Sequence, residues 1–481
     1  MTDIAATLRK AASAFANPLI FFLVFASVLQ CIYISHFFVL RDYYHGAQRF
    51  FHVAHLANTV LGKPDTLPVS FLELLKSTAP YKMGDVEAMP CSHWALAFRI
   101  RYCVVHAPVL SMPPLSDLMA IKLNPYQTFL FMSNAAASHY SIIGYIPYVL
   151  PLAAGLWLNL PPILLVYAAV GFNAILMILL GTYTLRILPI LRWPACFILL
   201  LPSSFMNRSF VMPDALTMEL SFLVLGVSLH YKCFPRLLEK RHFIILIVLA
   251  ILIGAIKIAY FFIPLIYLII PSHCFNNQQR RLVFIMVAFV SSIAAAMAWN
   301  YYATMAYYAP LFPGRLQSIL SSPFAYIRTI YQSLAVPQIF WMNLENMLMW
   351  NRLSPYGHGL MVLLALPLLL LTIIETSAAP NLLRIEERLL GVDIFLLLWG
   401  MVLTAMYLHV IVTPEQLVYI PLTMQGRYFI PALPFLLLAF HSIMHVPKKW
   451  FYIVKSLLCC SMVASLAYLN YCQLYKSVPM F

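Results

Sequence analysis

Charge is the scarcest property of this sequence. Asp, Glu, Lys and Arg make up 10% of its 481 residues, against 63% that are hydrophobic. A soluble domain carries about a quarter of its residues charged, so a water-soluble fold is excluded. Mean hydropathy is +0.85, and several apolar stretches reach the roughly 20 residues that span about 30 Å of hydrocarbon as a helix. Barrel-like alternation of polar and apolar residues is absent, which removes the other structure able to satisfy its backbone in lipid. No Walker loop, GxGxxG, HExxH, GxSxG or zinc-ligand spacing occurs, leaving ATP hydrolysis and soluble-type nucleotide chemistry unsupported. The nine cysteines are scattered without a CxxC pair. Cys91 and Cys103 share one long loop, where a disulfide and two free thiols remain equally open readings.

Acidic residues are scarcer still: 16 against 30 basic ones, a formal charge of +14. No basic soluble domain exists to carry nucleic acid, so no nucleic-acid partner is expected. In a membrane protein such an excess marks loops held on the cytoplasmic side. Six short basic segments fit that role: Arg9/Lys10, Arg186/Arg192, Lys232/Arg236/Lys240/Arg241, Arg280/Arg281, Arg384/Arg388 and Lys448/Lys449. Placing all of them inside forces an even number of crossings between neighbouring segments.

The first helix, residues 17–40, is too long for a signal-peptide core and is read as uncleaved. It leads to an outer loop over about 41–140. Of the next two runs only one can span. SIIGYIPYVLPLAAGLWL (141–158) holds two prolines and is read as lying along or dipping into the outer surface, leaving 162–185 as the span. An outward and return pair follows at 193–207 and 215–231, with RSFVMPDA at its outer turn. As one helix, 243–270 would be roughly 42 Å long. Two thin half-length passes meeting near Lys257 satisfy parity instead. Further spans fall near 282–303, 356–377, 390–411, 427–443 and 451–472, with a second outer loop over about 304–355. The expectation is an all-α polytopic membrane protein of about eleven passes, N-terminus cytoplasmic and C-terminus periplasmic, folded as a single membrane domain over 1–481.

This topology gathers ionisable residues at the outer boundary: Asp42, Asp214, Lys257, Arg352 and Arg427. In the stretch VLRDYYHGAQRFFHVAH (39–55), a helix would bring Asp42, His45, Arg49 and His52 within roughly 80° of one another, with His55 further round. A carboxylate and imidazoles on one face can act as a general base or hold a divalent metal beside a phosphate. The histidines also fit an interfacial amphipathic helix whose polar side meets water and headgroups. Asp214 fits a helix N-cap as well as a site. Glu219 is expected as a polar residue of the bundle interior, shallow or facing a cavity. Lys257 and Arg427 can pair with a lipid phosphate or snorkel to headgroups.

Three strings carry a family resemblance. HYSIIGYIPYVLPLAAGLWLNLPPILLVYAAVGFN (139–173), FVMPDALTMELSFLVLG (210–226) and MQGRYFIPALPFLLL (424–438) resemble segments of the domain-of-unknown-function family numbered 2142, predicted bacterial membrane proteins. The last, matching a Gln-Gly-Arg-Tyr-x-x-Pro pattern, is the most specific. That family is in turn similar to the GT-C membrane glycosyltransferases, which carry an acid after the first helix and use polyprenyl-phosphate sugars. The chain departs from the pattern in places. Arg41-Asp42-Tyr43-Tyr44-His45 keeps one acid of two and the histidine, Val170 stands where an arginine is expected, and the segment at Trp350-Asn351-Arg352 lacks the family's Asp.

The resemblance implies a GT-C-like transferase of the bacterial inner membrane, working at the outer face on a polyprenyl-phosphate-linked sugar in envelope polysaccharide or glycolipid synthesis. Asp42 would take the acceptor's proton, and Asp214 would orient the acceptor or a divalent metal, a candidate cofactor. His45, Arg49, Lys257, Arg352, Arg427 and Tyr428 would bind the substrate. A non-enzymatic binder of lipid-linked sugar, a transporter or a polysaccharide-assembly subunit is the rival class. A transporter would place broken helices and polar residues at the midplane of repeated halves, and no repeat is found.

Overall fold

A computed structural model describes residues 17–36, 48–63, 66–68, 70–71, 73–74, 115–122, 128–130, 140–307, 317, 319–335, 347, 357–374, 383–409, 426–441 and 448–475. Their regular structure is helical apart from one antiparallel ribbon, in which Leu67 faces Phe129. Among the described residues five helices are long and apolar enough to cross a membrane: Pro18–Ser35, Pro162–Ile187, Gln278–Tyr302, Ile385–Ala405 and Tyr452–Cys472. The chain is therefore a multi-pass helical membrane protein.

The helix starts are legible in local chemistry. Asn17 Oδ1 accepts the N–H of Leu19 at 3.0 Å ahead of Pro18, and Ser141 Oγ accepts that of Ile143 at 3.2 Å. Both supply an acceptor for donors that the helix cannot satisfy internally. Proline opens the Pro162–Ile187 helix, where its missing N–H costs nothing.

The chain packs as two compact units. One is built mainly from Leu29–Leu176 with Asn207–Pro213. In it the Ile142–Trp157 helix buries Tyr145, Tyr148, Leu152 and Leu156, a stripe at helical spacing, and packs on the Gln48–Val60 helix. Pro147 and Pro151 lie inside that helix without ending it.

The other unit is built from Met1–Val28, Met177–Met206 and Asp214–Val478. In it the Lys240–Ile256 helix packs along Gln278–Tyr307. Gly254 makes that approach possible, since a Cβ there would fall inside the shell of the Ser292 backbone carbonyl. After Ile256 the chain turns back at Lys257 and runs as 3-10 helix over Ile258–Tyr260 and Ile263–Ile269. The return is antiparallel: Tyr267 Oη donates to the Leu246 carbonyl at 2.9 Å, and Leu238 N–H to that of Cys274 at 2.9 Å. The expected hairpin in 243–270 thus exists, with a 3-10 return limb.

Two expected helices are corrected. The run 193–207 is two short helices, Arg192–Leu199 and Pro202–Ser209, because Pro202 cannot donate back to the preceding turn. The run 427–443 opens as a 3-10 turn, Gly426–Phe429, and continues as Leu433–Phe440, since Pro431 and Pro434 each withhold an N–H.

Several of the basic segments meet at one end of this unit. Lys232 pairs with Glu387 at 2.6 Å, the Arg281 guanidinium donates to the Leu268 carbonyl, and Arg388 donates to the carbonyls of Ala439 and His441 at 3.1 and 2.6 Å. Asp214 sits at the opposite end of the Asp214–Cys233 helix from Lys232. Eighteen steps of about 1.5 Å separate them by roughly 27 Å, close to the thickness of a hydrocarbon core.

Candidate functional site

Three residues far apart in sequence meet at that opposite end. Asp214 follows Pro213 and lies in the first turn of its helix, where the helix dipole favours a negative charge. Lys257 occupies the hairpin's extended break, at φ −147° and ψ 122°, which releases its side chain from the helix surface. Arg427 is the second residue of the 3-10 turn Gly426–Phe429. The prolines that shorten the following helix keep this turn from joining it. All three are buried, with 3%, 8% and 3% of their surface exposed.

Lys257 Nζ forms a salt bridge with Asp214 Oδ1. Arg427 Nε stands 3.9 Å from Asp214 Oδ2, an ion pair beyond hydrogen-bonding distance. Tyr428 completes the cluster. Its ring lies under both cations, 4.3 Å from Lys257 Nζ and 5.1 Å from the Arg427 guanidinium carbon. Its hydroxyl accepts from Arg427 at 3.4 Å, and its carbonyl accepts from Tyr260 Oη at 2.6 Å. Lys257 also lies 5.8 Å from the Tyr260 ring centre. The four residues Asp214, Lys257, Arg427 and Tyr428, read separately from sequence, are one cluster.

Its charge count decides what it can hold. Among the described residues, two cations and one carboxylate meet here, a set richer in positive than in negative charge. Buried charge of one sign attracts an anion, and a guanidinium suits phosphate oxygens through paired hydrogen bonds. Among the described residues the cluster offers a divalent metal one carboxylate, and that carboxylate already faces two cations. Among the described residues no group of three or more His, Cys, Asp or Glu is placed to bind a metal ion.

The remaining expected site residues fall elsewhere. Asp42, His45 and Arg352 lie outside the described residues, as do Cys91 and Cys103. Arg49 belongs to the first unit, half-buried, with its guanidinium 5.6 Å from the Tyr140 ring centre. His52 corrects the reading of a water-facing histidine side. It is buried, its ring 5.2 Å from that of Tyr145. Burial, and then the neighbouring His55, lower its pKa to about 4, so at neutral pH it is an uncharged packing residue. Glu219 is fully buried as an interior residue, against Gly181.

Sequence reasoning missed Arg208. It was placed in an outer turn, yet it is completely buried. The available signal was an arginine inside a membrane-embedded run, which marks a candidate functional position by default.

Compared with known proteins, the model of the DUF2142 family, described as a predicted membrane protein, matches residues 123–436, more than half of the chain. No curated protein and no solved structure matches.

Proposed function

The chain belongs to the DUF2142 family, and on that premise we propose that it is a GT-C-like glycosyltransferase using a polyprenyl-phosphate-linked sugar at the outer face of a bacterial inner membrane. The observation that carries this reading is the buried Asp214–Lys257–Arg427 cluster, which gathers a lysine and an arginine about a carboxylate. It stands at the end of its unit away from the Lys232–Glu387 pair. If the basic loops are cytoplasmic, the cluster faces outward, and about eleven passes follow, with the N-terminus inside and the C-terminus outside.

In this mechanism the acceptor hydroxyl attacks the anomeric carbon and gives its proton to the Asp42 carboxylate. The bond from that carbon to the phosphate oxygen breaks, and its electron pair leaves with the polyprenyl phosphate. Lys257 and Arg427 stabilise the charge gathering on that phosphate. Asp214 holds the two cations in place and orients the acceptor. Tyr428, under both cations, fixes their height and lies beside the bound phosphate. His45, Arg49 and Arg352 bind the remainder of the substrate.

The departures from the family pattern at residues 41–45, at Val170 and at residues 350–352 favour one rival, a protein that binds a lipid-linked sugar without turning it over. The test compares purified wild type with Asp42→Asn against a panel of polyprenyl-phosphate sugars, following turnover and lipid binding together. Turnover lost with binding kept supports the transferase. Binding without turnover in wild type supports the binder. Equal turnover in both proteins removes Asp42 from the chemistry.

A further inference from the structure

A second polar cluster lies wholly within the first unit, around the residues that end the Pro202–Ser209 helix. Asn207, Arg208 and Ser209 are consecutive and buried, at 1%, 0% and 1% exposure. Two more buried amides are tied to them. Asn173 Nδ2 donates to the Arg208 carbonyl at 3.2 Å, and Gln30 Nε2 donates to Ser209 Oγ at 2.7 Å. Tyr148 fixes the chain beyond: its hydroxyl lies 2.9 and 3.1 Å from the carbonyls of Phe210 and Met212 and accepts the Met212 N–H at 3.2 Å.

Among the described residues, three oxygens in this cluster have no hydrogen-bond partner: Gln30 Oε1, Asn173 Oδ1 and Asn207 Oδ1. Each is shut from solvent, and each side chain is on, or bonded to, residues 207–209. Leaving a buried acceptor unmade is costly to the fold, so three around one short segment are not incidental packing. Amide flips do not remove them. Turning Asn173 would set its oxygen against the Arg208 carbonyl. Turning Gln30 lets Ser209 donate but strands the amide N–H in place of the oxygen.

We propose that this cluster is a binding subsite for a hydroxyl-rich head group, a glycosyl unit, whose hydroxyls donate to these amide oxygens. Acceptors without donors on one short segment suit a ligand rich in hydroxyl donors, as a pyranose ring is. The same hydroxyls can accept from N–H groups, so the subsite needs no charge on its ligand. The proposal rests on the lipid-linked sugar reading above, and it assigns the sugar to residues which that reading does not use. Asn207 is the discriminating position, because no hydrogen bond to the protein is lost at its oxygen when it is replaced. Replacing an unsatisfied buried polar group by an apolar one of similar shape is close to neutral for the fold.

The test uses the full chain in lipid nanodiscs with two probes, a polyprenyl phosphate bearing one hexose and the same polyprenyl phosphate without it. Binding is read by native mass spectrometry, and the melting temperature of each variant is recorded. Wild type is expected to prefer the glycosylated carrier by about tenfold or more. Asn207→Leu should melt no lower than wild type and bind both carriers alike. Asn207→Ala, smaller at the same position, is the second variant should Leu not be accommodated. If wild type binds both carriers equally, the subsite is refuted while the phosphate site stands. If a folded Asn207 variant keeps the preference, the amide oxygens hold ordered water only. If wild type binds neither carrier, the lipid-linked sugar reading falls and takes the subsite with it.

Discussion

The arrangement of two cations about one carboxylate makes a prediction that separates this cluster from an ordinary salt bridge. In Lys257→Met the Asp214 carboxylate loses its bonded partner but keeps Arg427 at 3.9 Å. Truncating one member of a buried pair costs about 3–5 kcal/mol. The retained guanidinium is worth about 4 kcal/mol of gross attraction at this range and an effective dielectric of 20, so the cost should fall near the lower limit, about 3 kcal/mol. Asp214→Asn is the more damaging change, because two buried cations then face each other across a neutral amide. The double variant removes one of those cations, relieves their repulsion and should be no less stable than Asp214→Asn alone. Unfolding free energies from denaturant titrations in mixed micelles give all four corners of the cycle. The expected coupling is about 3 kcal/mol or more, since the double variant recovers at least the whole cost of Lys257→Met. Additive single costs would refute the reading of Asp214 as the shared counter-ion.

Three further expectations follow from other parts of the structure. His52 should make the protein acid-labile: its folded pKa of about 4 lies below the ordinary 6.5, so between those values the unfolded chain binds more protons. The contribution is complete above pH 6.5 and lost as pH falls towards 4, a change of about 3 kcal/mol. Melting curves from pH 4.5 to 7.5 should be flatter for His52→Phe than for wild type. Gly254→Ala should destabilise by about 1–3 kcal/mol, because the new methyl meets the Ser292 backbone rather than a movable side chain; an unchanged unfolding midpoint would contradict the close approach. Arg427→Lys keeps the charge but loses the planar fork, so it should weaken polyprenyl-phosphate binding by about tenfold in a direct binding assay while leaving unfolding nearly unchanged.

Much of the architecture was legible because lipid imposes one rule on the whole chain. Long apolar runs had to be helices, and those at 18–36, 162–187, 278–307, 385–409 and 448–475 are. Parity of the basic loops asked for a reversal inside 243–270, and Lys257 was the one residue there costly to leave in mid-membrane. That reasoning also set Asp214, Lys257 and Arg427 at the same boundary before any contact between them was known. What pattern could not supply was local backbone chemistry inside apolar sequence. Phe-Ile-Leu-Leu-Leu-Pro reads as continuous hydrophobicity, while its proline divides two helices at 200–201. The same masking hides the 3-10 limb at 263–269, whose composition is indistinguishable from that of a helix.

Burial of individual polar residues was less legible for a different reason. Hydropathy reports whether a run enters the membrane but not which neighbour covers a given side chain. His52 and Arg208 both show the consequence: one was expected to face water or a site, the other to sit in an outer turn, and both are enclosed. For Asp214 the sequence offered helix capping beside a role in the site. The structure adds Lys257 and Arg427, on segments 43 and 213 residues further along by their numbering, which no capping argument requires. Buried ionic clusters are weak contributors to stability, since well-packed apolar residues of the same volume often do as well or better. A chain with so few charges has buried three of them together, the two cations over a shared aromatic ring. Stability alone gives no reason for that arrangement; the anionic ligand proposed above does.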